Sequence, residues 1–183
     1  GERRIQAGIN RPKESDMSHF RDLYLANKKS RDARREVTGI LRNQAEKLVA
    51  FYEQWLELPS ETWEDKDGEH HRYVDTGFPC RNDRDFRPFP VNMIATDTDN
   101  IFRMAVRTWV DSHDEGESVN IVLAMELHSV GKDGVSLRVR VEDDTSIRVV
   151  INGDGDREWL PIVNSMKMHI ISKLQRRTPS AFR

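Results

Sequence analysis

The chain has 183 residues, 37% of them hydrophobic and 33% charged, with a formal net charge of −2 and a mean hydropathy of −0.73. No window holds the roughly 20 apolar residues that a membrane-spanning helix needs. A single cysteine, Cys80, excludes an internal disulfide framework and favours a reducing compartment, so a cytoplasmic protein with no membrane partner is expected.

The charge is segregated. Residues 1–47 hold 12 Lys/Arg against 7 Asp/Glu, residues 48–167 hold 13 against 24, and residues 168–183 hold 4 against none. Basic ends around an acidic middle suit an anionic partner, attraction between copies, or simply an uneven solvated surface.

Residues 1–16 are polar and unpatterned, with Arg3, Arg4, Arg11 and Lys13. They read as a flexible arm ahead of a single α+β domain over 17–183. The chain opens on Gly1 without the apolar h-region of a signal peptide, and Met17 would suit as a natural start. Helical spacing begins at Phe20, Leu23 and Tyr24. It continues through Val37, Ile40, Leu41, Leu48, Phe51, Tyr52, Trp55 and Leu56 until Pro59. This predicts an amphipathic helix over about 30–57 inside a helical segment 17–58, with Ser30 as a reasonable N-cap. One helix over 18–57 would extend roughly 60 Å at 1.5 Å per residue. A break near residues 28–30 is therefore expected, or else a helix that pairs with a partner; on the second reading Leu41, Leu48, Tyr52 and Trp55 form a protein interface.

Residues 59–183 read as the sheet-and-helix core. Asp65-Lys66-Asp67-Gly68 predicts a hairpin turn, because Asp-Gly accepts the required backbone angles. Residues 76–90, with Gly77, Pro79, Pro88 and Pro90, predict a long loop, and residues 91–95 a short strand. Thr96-Asp97-Thr98-Asp99 reads as a cap for a helix over 100–112 whose face is Ile101, Ala105 and Trp109, with Phe102, Val106 and Val110 beside it. From residue 117 the alternation becomes strict: Val119, Ile121, Leu123, Met125 and Leu127, then Val135, Leu137, Val139 and Val141, then Ile147, Val149 and Ile151. Three antiparallel strands with turns at 131–134 and 142–145 are predicted. A last helix over 159–176 carries Pro161 in its first turn, where the missing N–H matters least. The fold class is thus α+β: a mostly antiparallel sheet with a C-terminal three-strand meander, packed by two helices, with a long N-terminal helix.

No motif specifies a reaction: a phosphate-cradling glycine loop, a nucleophile elbow and a Cys-x-x-Cys pair are all missing from the sequence. Arg138, Arg140 and Arg148 alternate with buried residues and share the outer face of the sheet. A three-residue turn places Arg140 opposite Arg148, and such a like-charged pair implies an anionic ligand. A register shifted by two pairs Arg148 with Glu142 instead, and Glu126 then reaches Arg138 or Arg140 as ordinary ion pairs. Asn152, Asp154 and Asp156 have the alternate-oxygen spacing that begins a calcium loop, but Arg157 stands where the glycine belongs and Val163 where the bidentate glutamate belongs. The competing reading is a turn that caps the last helix. Acid–histidine groups lie at Glu69, His70, His71 and Asp75, and at Asp111, His113, Asp114, Glu115 and Glu117. Such groups bind metals or move protons, although adjacent His70 and His71 face opposite sides of a strand. Arg81 and Arg84 near Cys80 would lower its pKa, but no histidine adjoins it in sequence. Lys28, Lys29, Arg31, Arg34 and Arg35 form the best phosphate-binding cluster, diluted by Asp32 and Glu36.

The favoured expectation is a non-enzymatic binding or regulatory protein acting through its N-terminal helix and outer sheet face, with a protein partner or a second copy and no cofactor. Nucleic-acid association through the basic ends and a metal-dependent hydrolase are the alternatives.

Overall fold

The alternation after residue 100 becomes a five-stranded antiparallel sheet in the computed structural model of this chain. The structure describes residues 2–80, 82–113, 116–153 and 156–183, with side chains from residue 18 onward. The chain divides into two compact units, residues 1–37 and 38–183. Helix α1 (Glu2–Trp55) supplies the whole of the first unit's described structure and the first element of the second. It runs unbroken through residues 28–30, where a break is one of the two alternatives the sequence leaves open, and includes residues 2–16. Residues 18–36 contain neither glycine nor proline and are rich in Arg, Lys, Ala and Leu, all good helix formers, so nothing local interrupts the ladder.

In the second unit, β1 (Thr62–Glu64) and β2 (His70–Arg72) form the expected hairpin around Gly68. The main sheet follows in chain order: β3 (Val74–Gly77), β4 (Phe102–Asp111), β5 (Glu117–Gly131), β6 (Gly134–Val141) and β7 (Ile147–Ile151). Helix α2 (Leu160–Arg177) closes the fold and packs on β5 and β6. The α+β class with its C-terminal meander is as expected.

Two elements differ. Residues 102–111 form β4, not a helix. The segment satisfies both periods: Phe102, Met104, Val106 and Thr108 alternate as well as the 3–4 set does, and these four are buried. Pairing decides between them, because β3 lies on one side of β4 and β5 on the other. The acidic residue read as a helix cap instead builds a turn. Asp97 Oδ1 accepts the N–H groups of Asp99 at 2.8 Å and Ile101 at 3.0 Å, while Asn100 takes φ 61°. Residues 91–95 are also not a strand; Val91–Met93 is one short 3-10 turn following Pro90. Val91 and Ile94 are buried there.

The core lies on one face of the sheet. Alternate residues of β4 to β7 meet Leu41, Ala45, Leu48 and Tyr52 of α1 and Ile162, Val163, Met166 and Ile170 of α2, all buried. One polar bond is sealed into this layer: Tyr52 and Thr108 hydroxyls lie 2.7 Å apart. Burial pushes the Tyr52 phenol from 10.0 to about 12. The folded state therefore holds this proton more tightly than the unfolded chain. The resulting stability is intact below pH 10 and is lost as pH rises through about 12. Tyr52→Phe is expected to cost about 1–3 kcal/mol, since it strands the buried Thr108 hydroxyl, and to flatten the alkaline limb of a urea-midpoint-against-pH profile.

Beyond the end of β6 the near edge of β5 has no strand partner, and side chains take its place. Asn120 N–H donates to Asp83 Oδ1 at 2.7 Å, and the carbonyls of Asn120 and Ser118 accept from Lys173 Nζ at 2.7 Å and Arg177 Nη2 at 3.0 Å. This satisfies an edge that would otherwise template pairing with another chain.

Candidate functional site: a cationic cavity on the outer sheet face

Residues of β4, β5 and β6 that point away from the core share the opposite face, because side chains alternate along each strand. Near the unpaired edge of β5 this face opens into a cavity of about 370 Å³ floored by Val122 and Ala124. Three cations line it, Arg103 from β4, Arg140 from β6 and Lys173 from α2, together with Glu142, Asp143 and Cys80. The three cations are not equivalent. Lys173 is paired with Glu142 and also donates to the Asn120 carbonyl. Arg103 reaches Asp97 Oδ2 only at 3.3 Å. Among the described residues the Arg140 side chain has neither a hydrogen-bond nor an ion-pair partner.

Cys80 at the cavity wall accepts a hydrogen bond from Asn120 Nδ2 at 3.3 Å. Burial is the largest influence on the thiol and pushes its pKa up, and Asp83 and Asp85 add to this against the Asn120 bond. Of the two arginines expected to activate the thiol, Arg81 lies outside the described residues; among the described ones, two nearby carboxylates disfavour the thiolate.

The expected arginine trio is split. Arg138 sits opposite both Glu126 and Arg148, and Arg140 sits opposite Ala124. Neither register derived from the sequence occurs, because Val139 pairs with Ile147 and leaves a five-residue connection, 142–146. Of the three, only Arg140 lines the cavity. Arg103 escaped notice because residues 100–112 read as a helix; as a strand residue it stands on the far side of Ala124 from Arg140, on the same face. Lys173 carries no sequence signal, since tertiary packing alone brings α2 to this edge.

The other candidates separate clearly. Leu41, Leu48 and Tyr52 are fully buried in the second unit, and half-buried Trp55 stacks 6.5 Å from Tyr52 beneath Lys167. These residues cover the sheet rather than facing outward. Among the described residues, the large apolar side chains exposed on α1 are Phe20, Leu23, Tyr24 and Leu25. Lys28, Lys29, Arg31, Arg34 and Arg35 are exposed on α1, whereas Arg177 is engaged by Asp83 and Glu117. Of the proposed calcium ligands, Asp154 lies outside the described residues, and Asn152 and Asp156 are exposed.

Asp75 is committed elsewhere: it accepts from Arg107 at 2.7 Å, whose guanidinium stacks over Phe86 and Trp109. His113 pairs with Asp111 at 2.6 Å, and Asp114 and Glu115 lie outside the described residues. His71 is different. Its Nε2 lies 2.7 Å from Asp65 Oδ2, an interaction that holds the Asp65 carboxyl below the usual range, helped by backbone N–H groups of Glu69 and Asp67.

The chain matches no protein-family model, and no curated protein or solved structure matches it. Among the described residues no helix is long and apolar enough to cross a membrane.

Proposed function

We infer that this is a non-enzymatic binding protein whose outer sheet face holds an anionic group in the cavity at Arg140. What carries this reading is the unpartnered Arg140 guanidinium in a cavity that also presents Arg103 and Lys173. A guanidinium offers five N–H donors in a rigid fork that matches carboxylate and phosphate oxygens. Lys173 is held by Glu142 and Arg103 reaches Asp97 at 3.3 Å, so Arg140 is the cation left to grip the ligand, with Arg103 lining the same cavity. The raised thiol pKa of Cys80 favours binding over nucleophilic chemistry at this site.

Sulfate and phosphate are the probes. A ligand at ten times its dissociation constant stabilises by about 1.4 kcal/mol, a rise of roughly 3–6 °C in Tm for a domain of this size. The rise is expected with sulfate or phosphate and not with chloride at equal ionic strength, and Arg140→Ala is expected to abolish it. An equal rise in the variant would mean only the general exclusion of kosmotropic salts from protein surface, and the reading would fail.

A second observation favours association through the first unit. Phe20 and Leu23 are each 70% exposed and, with Tyr24, follow the i, i+3, i+4 spacing of one helix face. Residues 1–37 hold 10 Lys/Arg against 6 Asp/Glu, and residues 38–183 hold 19 against 25. Opposite net charges within one chain attract successive copies, so the occupant of this stripe is a second copy. Leu23→Glu should then lower the native mass, and a wild-type monomer at high concentration and low salt would exclude it.

A further inference from the structure

We propose that the β1–β2 hairpin is a divalent transition-metal site formed by Asp65, Glu69 and His71. One ligand atom from each of the three lies within 4.8 Å of the others. The arrangement follows from the hairpin. Asp65 leaves β1 and opens the turn, with its N–H on the Glu69 carbonyl at 2.9 Å and the Gly68 N–H on its own carbonyl at 3.1 Å. Glu69 immediately precedes β2 and His71 is its second residue, so the two, spaced two apart on the returning chain, fall on one side while His70 falls on the other.

The donors differ in how they are held. Asp65 Oδ1 accepts the backbone N–H groups of Asp67 at 2.9 Å and Glu69 at 3.0 Å, which orients the carboxylate and leaves Oδ2 facing His71 Nε2. The His71 ring is stacked on Trp63 at 4.7 Å and tilted against Trp109 at 5.9 Å, so its orientation is set by packing. An Asp65–His71 ion pair by itself needs no third acid. Yet the Glu69 carboxylate, without a hydrogen-bond partner among the described residues, converges on the same point. A ligating carboxylate held by backbone N–H groups, as Asp65 is, meets what a metal centre asks of its surroundings. One imidazole and two carboxylates suit zinc or cobalt, with water completing the coordination. Metal–ligand distances near 2.0–2.2 Å in a tetrahedron place donors about 3.3 Å apart. A modest widening of the 2.7 Å Asp65–His71 contact accommodates the ion. This site is separate from the Arg140 cavity, and the two proposals stand or fall independently.

The test is a titration of the metal-free protein with Zn2+, read as Tm, and with Co2+, read as quenching of tryptophan fluorescence. Wild type is expected to gain Tm with Zn2+ and to lose emission with Co2+, because Trp63 stacks on the ligating ring. Glu69→Gln removes a ligand whose carboxylate holds no structural bond, so its metal-free Tm should match wild type while its affinity falls about tenfold or more. His71→Ala should lose the response altogether. No response in wild type overturns the proposal, as does undiminished binding in both variants, which would place the ion elsewhere.

Discussion

Leu48→Glu is expected to unfold the second unit rather than to separate one molecule from another. Leu48 is 0% exposed, between equally buried Ala45 and Tyr52 on α1. The substitution deletes its apolar contacts and places a carboxylate where nothing is positioned to pair with it. Loss of the side chain alone is worth about 2–5 kcal/mol, and the unpaired charge adds to this unless the glutamate takes up a proton. The total rivals the whole stability of a typical domain. The measurement is a urea titration followed by circular dichroism, with Met168→Glu as the contrast. Met168 is 62% exposed, and its replacement should alter stability by no more than about 0.5 kcal/mol. A folded Leu48→Glu protein with wild-type stability would show that α1 does not form the core described.

Gly134→Ala is the second large effect. Gly131 and Gly134 close the β5–β6 hairpin as a pair around Lys132 and Asp133. Neither of the two central residues carries a positive φ; Gly134 does, at 111°. A Cβ built there would lie 2.1 Å from the Ile151 carbonyl oxygen and 2.8 Å from its carbon. Both atoms are backbone, so no side chain can turn aside, and relief requires β7 to move away from β6. The strained φ and the clash together should cost about 3 kcal/mol or more. Gly39→Ala is the control: a Cβ there meets nothing within 4 Å on helix α1. That change should stabilise by about 0.5–1 kcal/mol. A leftward shift of the urea midpoint for Gly134→Ala and a rightward one for Gly39→Ala is the expected pattern.

The placement of the two arginines in the cavity shows how the site depends on long-range pairing. Local pattern puts Arg138, Arg140 and Arg148 on one face of the meander, and they are there. Which residue stands opposite which is a matter of register. Register depends on how the 142–146 connection closes, and Glu142 takes φ 54° there, a backbone state that composition does not announce. The sequence-derived pairings of Arg148 with Arg140 or Glu142 therefore give way to Arg138, and the Arg140 side chain is left without a partner among the described residues.

Strict alternation with β-branched residues is what made β5, β6 and β7 readable from the chain alone. A sustained two-residue period has no helical counterpart, so burial and local preference agree. The Asp-Gly turn between β1 and β2, the proline at the start of α2 and the apolar stripe of α1 were legible for the same reason: each is a local rule with one structural answer. Residues 102–111 obey two rules at once, and only the neighbours β3 and β5, brought from distant parts of the chain, choose the strand. The stripe at Leu41, Leu48 and Tyr52 is equally ambiguous, because a buried helix face and an interface have the same periodicity; the sheet that covers it is assembled by tertiary contact. The convergence of Arg103, Arg140 and Lys173 belongs to that same level, whereas Asp65, Glu69 and His71 are brought together by one local hairpin. Side chains adjacent in space but set by strand register, turn closure and helix docking leave no periodic trace in the order of residues.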